Sequence, residues 1–191
     1  MANLKTGLSP INKQGGYNAG NLRAYACGNN TAAALYAGQL VQLTSGLIAP
    51  GGANGGNIGV VVGFLWIDNT TKQPVMDRYL PAGTTSGGTI DGFDSPIALV
   101  IDDPDQIYTI EADAAVNANA VGQYFTLTSF TAGSSFTKRS TAQLDADSNA
   151  TTTEDKVVKL VGFHKLPGWD RTLCEVKVIA PDTKINQVVT P

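Results

Sequence analysis

Short apolar runs, each closed by Gly, Pro, Asn, Asp, Ser or Thr, recur along the whole of this 191-residue chain. None carries the 3.6-residue stripe of an amphipathic helix. The runs fall at 22–27, 40–44, 47–50, 58–67, 75–81, 97–101, 107–112, 123–128, 156–163 and 172–179. These ten runs, read as about nine short strands with turn chemistry between them, predict an all-β fold, a closed barrel or a sandwich.

Local signals order these strands. Ser45-Gly46 between 40–44 and 47–50 is a hairpin turn, and 172–179 returns on 156–163 through a loop at 166–171. Residues 58–67 (Ile-Gly-Val-Val-Val-Gly-Phe-Leu-Trp-Ile) form the strongest strand and are expected at the centre of the core, with Trp66 inside. The Gly-rich stretch 50–57 before it reads as loop, as do 82–95 and the Asp-rich link 102–105. Small residues after the turn at 28–31 read as a short helical turn or a tight loop. Residues 113–121 read as a loop with a turn of helix, and 129–155 as a long surface excursion. Residues 1–20 have isolated apolar side chains between Lys5, Pro10, Lys13 and Gly15-Gly16, with neither strand nor helix period. The expected layout is an extended N-terminal arm over 1–20, a single β domain over 21–180 and a tail over 181–191.

Composition narrows the function classes. Charged residues make up 15% of the chain, against roughly 25% in soluble domains. Thirteen basic and sixteen acidic residues leave a net charge of −3. The densest basic feature is the pair Lys138-Arg139, so nucleic acid is not an expected partner, because neutralising phosphates takes clustered cations. No apolar run approaches the roughly 18 residues of a membrane span, and the N-terminal residues lack the apolar core of a signal peptide. A chain made in the cytoplasm without a membrane partner is expected. Cys27 and Cys174 are each flanked by alternating apolar residues and read as reduced, buried or half-buried thiols; a bridge between terminal strands is the alternative.

Catalytic chemistry is hard to assemble. His164 is the single histidine, at a strand end, and reads as a half-exposed hairpin residue. No Gly-x-Ser-x-Gly turn marks a nucleophile. The Asp102-Asp103-Pro104-Asp105 group has oxygen donors for a hard cation but not the spacing of a calcium loop, and reads as a solvated turn. Asp68, Asp77, Asp91 and Asp94 lie where aspartate is a turn former. The expectation is therefore no enzyme activity, no cofactor and no metal. Trp169 follows Pro-Gly at a hairpin tip, where it is either an exposed interface anchor or folded back on the body.

Three passages together resemble the small capsid-associated β proteins of tailed double-stranded DNA phages. They are Ser9-Pro10-Ile11-Asn12-Lys13, the segment from Leu35 to Leu43, and the late segment from Gly133 through Lys138-Arg139 to Asp145 before 157–163. The resemblance implies a compact β-barrel or β-tulip domain that trimerises and decorates the outer capsid surface of the virion. The major capsid protein would be its partner, and it would stabilise the expanded head. An extended arm in such proteins adds a strand to the capsid or a neighbour. Here Leu4, Leu8, Ile11 and Tyr17 are the expected arm anchors. The loops at 82–95 and 129–155 exceed those of the smallest decoration proteins, leaving room for a tail, neck or head-fibre role. A carbohydrate-binding β-sandwich using Trp169, Asp170 and Arg171 is the reading of another class, and a β-barrel hydrolase around His164 ranks last.

Overall fold

The computed structural model describes residues 5–13, 22–53, 56–164 and 171–179. Its strands fall at Ser9–Lys13 (β1), Leu22–Ala26 (β2), Leu35–Tyr36 (β3), Leu40–Thr44 (β4), Leu47–Pro50 (β5), Asn57–Ile67 (β6), Pro74–Asp77 (β7) and Tyr79–Leu80 (β8). The second half adds Ile97–Ile101 (β9), Gln106–Glu111 (β10), Tyr124–Phe125 (β11), Gly133–Ser134 (β12), Arg139–Ser140 (β13), Val158–Phe163 (β14) and Leu173–Val178 (β15). The fold is all-β, as expected; the small-residue stretch 113–121 contributes one 3-10 turn at Ala118–Ala120, capped by the Asn117 side chain.

Two antiparallel sheets carry the architecture. One has the order β1-β10-β15-β14-β11; the other has β2-β9-β6-β4-β5, with β7 added along β6. The apolar run 58–67 is the centre of the second sheet, and its continuous hydrophobicity has a physical reason: both faces are covered. Val60 enters a core shared with Leu40, Ile101, Tyr108, Leu160 and Val176, which fills the space between the sheets. Val61 and Phe64 enter a second core with Leu35, Val41, Leu80 and Val100 on the opposite face. Trp66 packs on that second core, but only half-buried. Gly59 lies so close to β9 that an added Cβ would sit 2.1 Å from the Ile101 carbonyl oxygen, so the central strand requires glycine there.

Turn chemistry behaves as the sequence implies. Ser45 and Gly46 both have positive φ, at 52° and 80°, which is the type I′ pairing that matches strand twist. The link at 102–105 joins β9 in one sheet to β10 in the other and is pinned from both sides. Asp102 pairs with Arg23 of β2 at 2.8 Å and accepts a hydrogen bond from the Tyr25 hydroxyl at 2.7 Å, while Asp105 pairs with Lys177 of β15 at 2.9 Å.

The structure differs from the sequence reading in four places. No closed barrel forms among the described residues: the second sheet curls until Gly28, just past β2, meets Leu47 of β5, but those edges do not hydrogen-bond. Residues 9–13 are not a free arm, because they pair with β10 along the edge of the first sheet. The run 75–81 is divided at Arg78, with β7 on β6 and β8 on β3. The expected surface excursion 129–155 is partly interior: Ser140, Ala142, Gln143 and Leu144 are buried, and Leu144 bridges both Ala112 and Leu127. A backbone rung on either side fixes that single leucine in the core without any periodic pattern to announce it.

Leu144 is fully buried and Phe136, in the same excursion, is 95% exposed, so the excursion has an interior part and a surface part. In urea unfolding, Leu144→Ala is expected to cost about 2–5 kcal/mol. Phe136→Ser is expected to stay within about 0.5 kcal/mol of wild type.

Candidate functional site

The expected arm anchors separate on the structure. Leu4 and Tyr17 lie outside the described residues, as does Trp169. Leu8 is 2% exposed and belongs to the core between the sheets, held there by its N–H donating to the Gly38 carbonyl at 2.9 Å. It is therefore engaged by its own chain and is not presented to another. Ile11 is half-exposed and is the extra residue of a bulge, since Pro10 faces Tyr108 and Asn12 faces Ile107. A proline and a bulge on an edge strand both discourage pairing with a further strand, so the strand addition expected between molecules takes place within this one.

Other side chains present apolar surface. Phe136 and Met76, 95% and 72% exposed, are the most exposed of the large apolar residues among those described. Phe136 stands in the turn between β12 and β13, and Met76 on β7, paired with Leu65 of β6. An ion pair of 2.6 Å between Lys138 and Asp77 ties the hairpin that carries Phe136 to the strand that carries Met76. Sequence reasoning missed both. Phe136 is a lone aromatic inside a Ser/Thr/Gly segment, and that isolation from any apolar run was the available signal.

The groups with catalytic potential are occupied or silent. His164 Nδ1 lies 2.9 Å from a Glu175 carboxylate oxygen, both partly exposed. Among the described residues no hydroxyl or thiol is hydrogen-bonded to its other nitrogen. Cys27 and Cys174 are free and buried, and burial pushes each thiol up to about 12. Neither forms the thiolate that nucleophilic attack requires at neutral pH. Asp103 accepts the Asp105 N–H at 2.9 Å, as a turn aspartate does.

Glu111 is the anomaly. At the end of β10 it is 5% exposed, and neither carboxylate oxygen has a hydrogen-bond partner. Burial raises its pKa, opposed in part by the positive charge of Lys5. A folded-state pKa above the unfolded one means that the folded protein holds the proton more tightly, so stability falls as pH rises through the folded value.

Comparison of the chain with protein-family models, curated proteins and solved structures returns no match.

Two measurements check these assignments. Both thiols are expected to resist Ellman's reagent in the folded protein and to react fully on denaturation; a fast-reacting native thiol would overturn the protonated, buried assignment. Glu111→Gln removes the buried charge and is expected to raise stability at pH 7 by about 1 kcal/mol. The gain should shrink as pH falls toward 4, where the wild-type carboxyl is itself neutral. Thermal melts of both proteins across that range give the comparison.

Proposed function

We propose that this chain is a structural component of a tailed-phage virion that binds the outer surface of the capsid and stabilises the expanded head, acting as a decoration protein. The observation that carries this reading is that Phe136 and Met76, two highly exposed apolar side chains, stand on two elements joined by the Lys138–Asp77 ion pair. Aromatic and methionine side chains are favoured interface anchors, and an anchor held by a neighbouring ion pair loses less freedom on docking. The weakly charged surface adds support, because it offers little repulsion to a broad neighbouring face.

A binding role needs no cofactor. A protein that binds only the expanded lattice stabilises it by mass action, and repeated copies, self-associated as trimers, multiply a modest affinity. The resemblance in segments 9–13, 35–43 and 133–145 points the same way.

The decisive measurement is the ratio of this protein to the major capsid protein in purified virions. A ratio near one is expected. A ratio many times lower would move the protein to the tail, neck or a head fibre, and absence from virions would end the structural reading.

A further inference from the structure

The turn at residues 36–39 has an arginine on either side of it, Arg78 from between β7 and β8 and Arg139 from β13. The Ala37 N–H donates to the Arg78 carbonyl at 2.7 Å, while on its other side Ala37 forms a parallel bridge with Arg139, and the Ser140 N–H donates to the Ala37 carbonyl at 2.9 Å. Arg78 and Arg139 thus stand in register on the two flanks of the small side chain of Ala37. Adjacent strands lie about 4.8 Å apart, so the two arginine backbones are about 10 Å apart. That is a separation two long side chains easily close.

Both arginines line one cleft of about 260 Å³, whose wall includes Leu8, Ala37, Val61 and Val62. Among the described residues neither guanidinium has an ion-pair or hydrogen-bond partner. The cause is visible in the neighbouring residues. Asp77-Arg78 and Lys138-Arg139 face each other across the turn, and the one acid of the four pairs with Lys138 at 2.6 Å. Two positive charges are left over beside an apolar wall.

We infer that this cleft is a carboxylate-binding site, and that its ligand is an acidic side chain on an extended protein segment, laid against the partly exposed Val62 with its carboxylate between Arg78 and Arg139. Guanidinium forks match carboxylates bidentately, and the apolar wall suits the stem of a glutamate or the residues beside it. The volume admits one or two side chains, not a cofactor-sized molecule. Phosphate shares the charge but has no use for the apolar wall. The inference does not depend on a virion role.

The test is NMR titration of uniformly labelled protein, reading the Arg78 and Arg139 Nε–H signals and the Ala37 and Gly38 amides. The probes are a short blocked peptide alternating valine and glutamate, the same peptide with glutamine for glutamate, sodium acetate and inorganic phosphate. The glutamate peptide is expected to shift all four signals saturably and at lower concentration than acetate, with the glutamine peptide silent. Arg78→Gln, at an exposed position, and Arg139→Gln, at a partly exposed one, are expected to leave thermal melting unchanged and should each weaken binding about tenfold. Equal response to both peptides, or no response at millimolar concentration, would overturn the site. Phosphate binding as tightly as the glutamate peptide would overturn its assignment to an acidic segment, as would signals that depend on protein concentration and ignore the peptide, which would indicate a second copy in the cleft.

Discussion

The turn at residues 36–39 is the constraint on which the rest of the molecule rests. Buried backbone groups must be paired, and here four separate segments meet where no regular ladder can pair them. Ala37 takes Arg78, between β7 and β8, on one side and β13 on the other; Gly38 donates to Val61 of β6 and accepts from Leu8; Gln39 accepts from Val61. The fully buried Gln39 side chain completes the set, accepting from the Tyr36 N–H at 2.9 Å and donating to the Phe130 carbonyl at 2.7 Å. A primary amide offers donor and acceptor on one rigid group, and loss of either leaves an orphan costing about 1–3 kcal/mol. Gly38 is required as well, with φ of 79° and Thr6 and Leu8 carbonyl oxygens within 3.0 Å of where a Cβ would be.

This hub explains why the N-terminal segment is part of the body. Once Leu8 is bonded to Gly38, residues 9–13 are delivered to the edge of β10, and Pro10 with the Ile11 bulge ends the sheet there. It also explains why the 129–146 region goes inward. Phe130 is held by Gln39 and Ser140 by Ala37, so the chain between and beyond them is drawn over the core, where Leu144 meets Ala112 and Leu127.

What the sequence made legible follows from where each signal is stored. β6, β9, β14, β15 and the Ser45-Gly46 hairpin could be read because apolar runs and turn residues are local. Open sheets against a barrel could not, since either closure buries the same alternating residues, and only the want of a hydrogen-bonded seam between β2 and β5 decides it. Leu8 and Leu144 gain their burial from single backbone rungs to residues far along the chain, which leave no period behind. The candidate sites were hidden for the same reason. Asp77 and Lys138 are 61 residues apart, and nothing in either tetrad of neighbours says that they share a corner.

Sparse charge gives that corner its weight. With 15% charged residues, most acids that lie near a cation are already committed: Asp102 to Arg23, Asp105 to Lys177, Asp77 to Lys138. On a densely charged surface two extra arginines would be answered by some nearby carboxylate at little cost. Here, among the described residues, neither arginine of the cleft has an acidic partner, although the chain is acidic overall. An outside carboxylate is the remaining partner, and the wall of Leu8, Val61 and Val62 lowers the local dielectric that makes such a pairing worth more than it is in open water.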